Sequence, residues 1–479
     1  MTQRSRTIWT FIVTSVALFM AQLDNLVVTT ALPVIRTHLH ASLSSLEWTV
    51  NAYTLTFAVL LLTGASLGER FGRRRMLVAG LVIFTAGSAA AALAPSVEWL
   101  VAFRAVQGAG AAVITPLTLT LLSAAVPVER RGMALGIWGA VAGLAIATGP
   151  VVGGAVVQGW SWQTIFWLNV PLGLALIPIA RLRVVESHGP ATRLDLPGVV
   201  LASTGLFGIV FGLVRANSLG WRSPYIIAAL VLGATFLAQF VAWELRAVEP
   251  MLPMRLFRSR GFTATNVGSV LMFFGMFGSI FLLAQFLQTV QHYSPLSAGL
   301  RTLPWTGMPI VVSPIAGVLA DKIGGRIVVL VGLILQATGL AWLAAVSSPT
   351  VAYSHLVPAF IVSGIGMAMF FAPVATMVLG TVDRSEEGIA SGATNALREL
   401  GGVFGVAVLA SVFSTYGGYA SGQAFVSGLQ HAVAVGAGGV ALAALAIALV
   451  PRRSRAAAGA NAMPYPDEAG ATSRDRVAA

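Results

Sequence analysis

The sequence predicts an all-α polytopic membrane protein, built as two six-helix bundles with two further helices inserted between them. Of its 479 residues, 57% are hydrophobic and only 10% are charged, whereas a soluble domain carries about 25% charged residues. The apolar residues form runs close to the ~20 residues that one helix needs to cross a bilayer. A short loop motif also occurs twice, which indicates a duplicated bundle.

Fourteen apolar segments, numbered 1 to 14 along the chain, can be drawn. Charge, glycine and proline separate them, as is typical of loops. They cover residues 8–35, 46–67, 76–94, 98–124, 133–158, 163–182, 196–215, 224–244, 262–290, 296–320, 326–346, 354–380, 391–415 and 429–450. Segment 1 is too long for the apolar core of a signal peptide, so we expect it to stay attached as the first helix.

The 29 lysines and arginines are unevenly distributed between the loops. If segment 1 runs outward, 23 of them lie on the cytoplasmic side and two, Arg104 and Arg398, lie within segments. The four on the outer side are Arg36, Arg215, Arg222 and Arg301. This asymmetry follows the positive-inside rule and predicts a cell-membrane protein with both termini in the cytoplasm. It also explains the net charge of +12 without a nucleic-acid partner.

Cysteine is absent, and the six histidines lie in loops or near segment ends. The composition therefore excludes a disulfide framework, and we expect neither a metal nor another cofactor. A membrane-embedded enzyme would need a histidine, cysteine or acid cluster at a membrane face. The sequence has no such cluster, so we expect no enzymatic activity.

The repeated loop motif defines the domain organisation. LGERFGRRR (Leu67–Arg75) follows segment 2 and LADKIGGR (Leu319–Arg326) follows segment 10, with acid, base, apolar residue, glycine and base recurring at an offset of 252 residues. Segments 1–6 would then match segments 9–14, and a substrate site is expected between the halves near the midplane. The predicted divisions are a bundle in residues 1–185, inserted helices in 186–250, a second bundle in 251–455 and a disordered cytoplasmic tail in 456–479.

Asp24 is the only acidic residue that the sequence places near the middle of a segment. A charge at that depth is costly and marks a functional site by default. Burial raises the pKa of a carboxyl group and a nearby cation lowers it. A site poised between the two can bind a proton or a cationic substrate but not both at full strength, which is the simplest chemistry for antiport. The structural alternative is that a protonated Asp24 only joins helices.

Arg104 is the second central charge, about two turns inside segment 4. A guanidinium stays charged when buried, so it needs an acceptor, either Asp24 or carbonyl groups of segment 1. We expect Arg104 to tune the proton affinity of Asp24, with a purely structural tie as the alternative. Gln107 lies on the same helix face.

The motifs together resemble those of the major facilitator superfamily, and more narrowly its 14-helix drug:proton antiporter subfamily. The resemblance covers nearly the whole chain and implies that superfamily's fold. Its motifs are LDNLVVTTALP (Leu23–Pro33), WTVNAYTL (Trp48–Leu55), both copies of the loop motif, the first extended to GASLGERFGRRR (Gly64–Arg75), RAVQGAGAA (Arg104–Ala112), GLAIATGPVVGG (Gly143–Gly154), WSWQTIFWLNVPLG (Trp160–Gly173), YSPLSAGLRTLP (Tyr293–Pro304) and ATNALRELGG (Ala393–Gly402). Leu26, Thr29, Ala65, Glu69 and Gln163 depart from the usual residues.

The two loop motifs are predicted to form a conformational gate. Glu69 and Asp321 would each face the N-terminus of a helix in the opposite half, where the helix dipole favours an anion. Arg398 and Glu399, placed near the cytoplasmic end of segment 13, are possible partners. The alternative is that the basic residues only fix orientation. The gate residues are Glu69, Arg70, Gly72, Arg73, Arg74, Asp321, Lys322, Gly324 and Arg326.

Segment 5 carries the antiporter motif that the resemblance implies. Its residues are Gly143, Gly149, Pro150, Gly153 and Gly154. Small residues in this segment, from Gly139 through Gly143, Ala147 and Pro150 to Gly154, share one helix face. They would allow a close, bent contact with a helix of the other half that seals one side of the cavity. Ordinary close packing is the alternative.

The substrate pocket is less well specified. Candidate lining residues are Gln22, Asn25, Asn51, Tyr53, Gln107, Gln285, Gln288 and Phe274, with Asn266, Phe273, Phe277, Phe370 and Phe371 as further possibilities. Aromatic rings there would stack on a flat lipophilic substrate or attract a cation. One central acid favours monocations or neutral compounds over dications.

The predicted function is proton-coupled antiport that exports lipophilic drugs or antibiotics by alternating access. We expect a monomer in the lipid bilayer whose ligands are small lipophilic substrates and protons. The alternative is a dedicated exporter of one endogenous natural product, which would confer self-resistance. A non-pumping membrane sensor and a membrane enzyme rank lower.

Overall fold

The computed structural model of the chain describes residues 3–126, 128–188, 194–382 and 387–450. Within these ranges it is helical without strands, which confirms the predicted fold class. The helices are α1 (Gln3–His38), α2 (Leu43–Phe71), α3 (Arg73–Ala92), α4 (Val97–Ala125), α5 (Val128–Gly159), α6 (Thr164–Trp167), α7 (Asn169–Arg183), α8 (Leu196–Leu219), α9 (Pro224–Glu244), α10 (Arg260–Gln285), α11 (Pro295–Thr306), α12 (Met308–Ile323), α13 (Gly325–Val346), α14 (Tyr353–Leu379), α15 (Glu387–Tyr416) and α16 (Gly422–Ala448). Thirteen candidate membrane spans occur among the described residues, and α5 adds a helix of 32 residues. The predicted tail, residues 456–479, lies outside the described residues.

Two predicted segments are broken helices. Segment 6 divides at Leu168 into α6 and α7, and segment 10 divides at Gly307 into α11 and α12. Proline has no N–H to donate and its ring clashes with the carbonyl four residues earlier. Leu168 and Gly307 keep helical backbone angles. Pro171 and Pro309 follow closely, so each segment lacks a backbone hydrogen bond at the break but continues as one candidate span.

The boundary of segment 14 was predicted seven residues late. α16 begins at Gly422, with Ser421 as its N-cap, whose hydroxyl accepts a hydrogen bond from the Ala424 N–H at 3.1 Å. Polar residues in the first two turns, Gln423 and Ser427 among them, hide this start from a hydropathy pattern. N-cap chemistry therefore locates it better than apolar content does.

The helices form two bundles. Helices α1–α7, here called the N bundle, pack mainly on one another, as do α10–α16, the C bundle. The bundles meet where α2 packs on α15, α5 on α11 and α1 on α10. Helices α8 and α9 pack on each other, and α8 also packs on α2 and α15. The two inserted helices therefore lie outside the paired bundles.

Close helix contacts in the N bundle depend on glycine. A Cβ atom on Gly108 of α4 would meet the Tyr53 carbonyl of α2, and one on Gly110 would lie 2.6 Å from the Phe84 backbone nitrogen of α3. Small residues let helices in a membrane approach this closely. This packing holds the Arg104 side of α4 against α2.

The bundles are in contact at the end of the molecule that holds the α1–α2 turn, here called the α1–α2 end. A Cβ atom on Gly154 of α5 would meet the Pro295 carbonyl of α11, and one on Gly299 of α11 would meet the Pro150 carbonyl of α5. The Leu296 N–H also donates to Gln158 Oε1 at 3.3 Å. The two bundles are therefore sealed against each other at this end.

Candidate functional site

Asp24 lies inside the N bundle. Its relative exposure is 1%, so it does not line an open cavity in this conformation. One carboxylate oxygen forms an ion pair with Arg104 Nη1. The other accepts hydrogen bonds from Gln107 Nε2 at 3.2 Å and from Asn169 Nδ2 at 2.7 Å. Three donors from α4 and α7 thus hold the carboxylate of α1.

Arg104 is fully buried and joins three helices. Its Nε donates to the Thr49 carbonyl of α2 at 3.2 Å, and its Nη1 also donates to Gln107 Oε1 at 3.0 Å. The guanidinium carbon lies 4.2 Å from the Tyr53 ring centroid, a cation–π distance. Nη2 has no hydrogen-bond partner. Both carboxylate oxygens of Asp24 therefore accept hydrogen bonds, whereas one nitrogen of the Arg104 guanidinium has no acceptor.

Asn169 and Ser88 complete the site and were not among the predicted site residues. Asn169 Nδ2 donates to Ser88 Oγ at 3.1 Å as well as to Asp24, and the Ser88 hydroxyl donates to the Phe166 carbonyl at 2.8 Å. Asn169 is a polar residue within an apolar segment, the same signal that singled out Asn25. Sequence reasoning weighed that signal only for a substrate pocket.

The arrangement makes the charge of Asp24 important for the packing of α1. As a carboxylate it compensates the buried Arg104 charge and joins α1 to α4 and α7. A protonated Asp24 no longer compensates that charge, and an uncompensated buried charge strongly destabilises its surroundings. Loss of the Asp24 charge would therefore disturb how α1 packs on its neighbours, and α1 also contacts α10 of the C bundle.

The prediction that Asp24 is the only acid near the middle of a segment was wrong. Glu399 is the thirteenth residue of the 30-residue α15, about 18 Å along the axis at 1.5 Å per residue. Its relative exposure is 9%, and its Oε2 has no hydrogen-bond partner. The error arose because α15 begins at Glu387, before the apolar run, so Glu399 had been placed near the helix end.

The first loop motif contacts its own residues and the stretch that follows α7 in this conformation. Glu69 accepts hydrogen bonds from Arg73 Nε at 3.0 Å and Nη2 at 2.8 Å, as an i, i+4 pair. The acid at a helix N-terminus is instead Glu186, which accepts from the backbone N–H groups of Arg74 at 2.9 Å and Arg75 at 3.3 Å. Arg73 competes for Glu69 from one turn away, so Glu69 does not face the opposite bundle here.

The two loop copies have matching backbone geometry. Gly72 and Gly324 have φ of 102° and 96°, a region that favours glycine. Arg74 Nη1 lies 3.4 Å from the Arg181 carbonyl at the end of α7, and Arg326 Nη2 lies 2.5 Å from the Ala448 carbonyl at the end of α16. The remaining gate residues lie nearby. Arg70 stacks on Phe71 with 5.3 Å from guanidinium carbon to ring centroid, and Asp321 and Lys322 are exposed.

The segment 5 residues face two different helices. Pro150 and Gly154 face α11 of the C bundle, whereas Gly149 and Gly153 face α1, with a Cβ on Gly149 lying 2.9 Å from the Leu26 Cβ. Gly143 has nothing within 4 Å of an added Cβ. The surroundings of Gly139 lie outside what the structure describes.

The predicted pocket residues do not gather in one place. Tyr53 and Gln107 belong to the Asp24 site, where the Tyr53 hydroxyl donates to the Ala21 carbonyl at 2.9 Å. Phe274 packs against backbone of α15 and α16. The other members are Gln22, partly exposed; Asn25, which accepts from Thr54 at 3.5 Å; Asn51, buried without a partner; and Asn266, which donates to the Phe262 carbonyl at 2.9 Å.

Gln285 and Gln288 lie at the α1–α2 end. Gln288 Nε2 donates to the Thr30 carbonyl of α1 at 2.9 Å, which adds a bond between the bundles. Gln285 accepts a hydrogen bond from the Tyr419 hydroxyl, and the Arg36 guanidinium carbon lies 3.3 Å from the Tyr419 ring centroid. These polar residues therefore help to close the α1–α2 end in this conformation.

Paired helical bundles, at least thirteen membrane spans among the described residues and a buried intramembrane ion pair define a multi-pass membrane transporter. The family model described as "Major Facilitator Superfamily" matches residues 14–199, 198–406 and 265–466. The chain belongs to this superfamily.

Its relatives include resistance proteins. It is 35% identical over 414 residues to "Multidrug resistance protein Stp" of Mycobacterium tuberculosis, covering 85% of this chain and 76% of that protein. It is 34% identical over 403 residues to "Tetracenomycin C resistance and export protein" of Streptomyces glaucescens, covering 84% and 74%. Among solved structures, a POT family transporter superposes with a TM-score of 0.68 at 14% identity, over 92% of this chain and 95% of the other, a likeness of fold alone.

Proposed function

We propose that the protein is a proton-coupled antiporter that exports lipophilic drugs or antibiotics across the cell membrane by alternating access. The observation that carries this proposal is the buried Asp24–Arg104 ion pair. Its carboxylate is the acid partner of a guanidinium that stays charged. A proton taken up by Asp24 removes that partner and alters the packing of α1, the helix that also contacts the C bundle.

In this proposal, residues 1–185 and 251–455 are the two moving halves and 186–250 are the inserted helices. The basic residues favour cytoplasmic termini, which places the sealed α1–α2 end outside. Opening of that end requires separation of α5 from α11 and of α1 from α10. The loop motifs around Gly72 and Gly324 would then engage across the halves as a gate.

The named relatives support export of antibiotics or other toxic compounds. A dedicated exporter of one natural product is the second candidate, favoured by the relative whose name specifies tetracenomycin C. Both candidates share the mechanism and differ only in how many compounds the pocket accepts.

The proposal is tested in everted membrane vesicles with an acid interior. A panel of lipophilic fluorescent compounds, both cationic and anionic, is added while accumulation and the pH gradient are followed together. We expect accumulation that partly dissipates the gradient and stops when an uncoupler is added. Accumulation that persists without a gradient contradicts proton coupling. A normally folded protein that ignores the whole panel favours the dedicated exporter.

A further inference from the structure

Arg398 lies deep in the C bundle, and no acid of the described residues is within ion-pair distance of its guanidinium. It is the twelfth residue of α15, about 17 Å along the helix axis. Its Nη1 lies 3.4 Å from Asn395 Oδ1, while Nε and Nη2 have no hydrogen-bond partner. Arg104, the buried arginine of the N bundle, is paired with Asp24. The two central arginines therefore differ, and Arg398 retains unused donors.

Aromatic rings from two helices surround the Arg398 guanidinium. Its central carbon lies 5.8 Å from the ring centroid of Phe273 in α10 and 5.9 Å from that of Phe370 in α14. Phe273 is nearly parallel to Phe277 at 5.7 Å and meets Phe371 edge-on at 6.0 Å. Phe277, Phe371 and Arg398 are each partly exposed. Parts of the Arg398 side chain and of two neighbouring rings are therefore accessible, while Phe273 and Phe370 are buried beside them.

The described acids form no ion pair with Arg398, although the charge of Glu399 acts on it through space. Asp24 is held by donors of its own bundle. Glu399 is the next residue, about 100° further around the helix, and the described residues show no ion pair between it and Arg398 within 4 Å. Arginine stays charged when buried, and a buried charge without a partner is unfavourable. The space beside Arg398 therefore suits a ligand that brings an anionic group.

We propose that Arg398 and the rings of Phe273, Phe277, Phe370 and Phe371 form a substrate subsite for planar aromatic compounds that carry an acidic oxygen. The acidic group would be a phenolate, an enolate or a carboxylate, which accepts charge-assisted hydrogen bonds from the free N–H groups. The aromatic part packs on the phenylalanine rings in offset or edge-on geometry. This inference rests on the proposed export function and specifies the substrate class.

The test uses two fluorescent probes with one ring system and opposite charges: anthracene-9-carboxylate and 9-(aminomethyl)anthracene. Binding to the purified full chain in lipid nanodiscs is measured at pH 7 without any gradient. We expect the carboxylate to bind at least about tenfold more tightly than the ammonium probe, the scale of one hydrogen bond to a charged group. Arg398→Gln should abolish this preference, and Arg398→Lys should retain part of it.

Two phenylalanine variants of α14 distinguish the subsite from general packing. Phe371→Leu should weaken binding of both probes. Phe360→Leu should leave binding unchanged, because Phe360 stacks on Trp305, 6.2 Å away between centroids. If Arg398→Gln does not fold, the inference is tested by the preference of the unaltered protein for the carboxylate probe and by how much of that preference Arg398→Lys retains.

Equal or tighter binding of the ammonium probe overturns the inference, as does a preference that survives Arg398→Gln or failure of both probes to bind. Vesicle transport separates this inference from the proposed function. Accumulation of the ammonium probe alone would retain proton-coupled export and refute the subsite. Selective carboxylate binding without gradient-driven accumulation would retain the subsite and refute the export function.

Discussion

Removing the charge from Asp24 alone should destabilise the N bundle more than removing both members of its ion pair. Asp24→Asn leaves the Arg104 guanidinium buried and uncompensated, although Nε keeps the Thr49 carbonyl at 3.2 Å. Arg104→Gln added to the same chain removes that charge. We therefore expect the double variant to be more stable than Asp24→Asn, while both fail to couple transport to protons.

The magnitude follows from burial. Asp24 and Arg104 have relative exposures of 1% and 0%, so solvent screens their interaction little. Breaking a buried ion pair from one side costs about 3–5 kcal/mol. If the N bundle unfolds as a unit of roughly 150–250 residues, each kcal/mol lowers Tm by about 2–4 °C. Asp24→Asn should thus lower Tm by roughly 6–20 °C, with much of that loss recovered in the double variant.

The assay heats detergent-purified variants and measures by size-exclusion chromatography the fraction that stays monodisperse. The single variants Asp24→Asn and Arg104→Gln, the double variant and the unaltered protein complete the cycle. Gradient-driven accumulation is measured in parallel. The reasoning is refuted if Asp24→Asn is as stable as the unaltered protein, or if the losses of the two single variants add in the double variant.

Three further predictions concern other contacts. Gly154→Val should block closure of the α1–α2 end and abolish accumulation of substrate, because the added side chain would meet α11. Gly143→Val in the same helix should be tolerated. Equal loss of accumulation in the two variants would contradict this reasoning. Arg36→Gln or Tyr419→Leu should open that end more often, measured as faster thiol labelling of a single cysteine introduced there, since the chain has none of its own; unchanged labelling would contradict a closing role. Glu186→Gln should lower the free energy of unfolding by about 1 kcal/mol, because the N-terminus of α3 loses a negative charge. High salt screens that charge, so the destabilisation should be smaller there. An unchanged Tm at low salt would argue against this.

The positions of the helices could be predicted because the thickness of the bilayer sets the length of each apolar run. The charged and polar residues between the runs mark where each helix ends. Breaks within helices were harder to predict. Leu168 and Gly307 are unremarkable in a hydropathy pattern, and the prolines near them could equally have produced kinks. The start of α16 at Gly422 depends on the Ser421 cap and on contacts that an apolar run does not contain.

Opposite charges in two otherwise apolar segments suffice to suggest that Asp24 and Arg104 meet. The same reasoning cannot select Asn169 and Ser88, because many polar residues occur on apolar segments and only the packing of α3, α4 and α7 brings these two to Asp24. Glu399 was misplaced because α15 extends beyond its apolar run. For the gate, sequence separation hid Glu186, which reaches α3 from beyond α7.

The central claim is that a proton on Asp24 drives export, and its most direct test compares two kinds of transport by one variant. In proteoliposomes containing Asp24→Asn, exchange of labelled for unlabelled substrate needs only alternating access, whereas accumulation against a gradient also needs the proton. We predict that exchange continues and that an imposed pH gradient no longer drives accumulation. Accumulation equal to that of the unaltered protein would contradict the account.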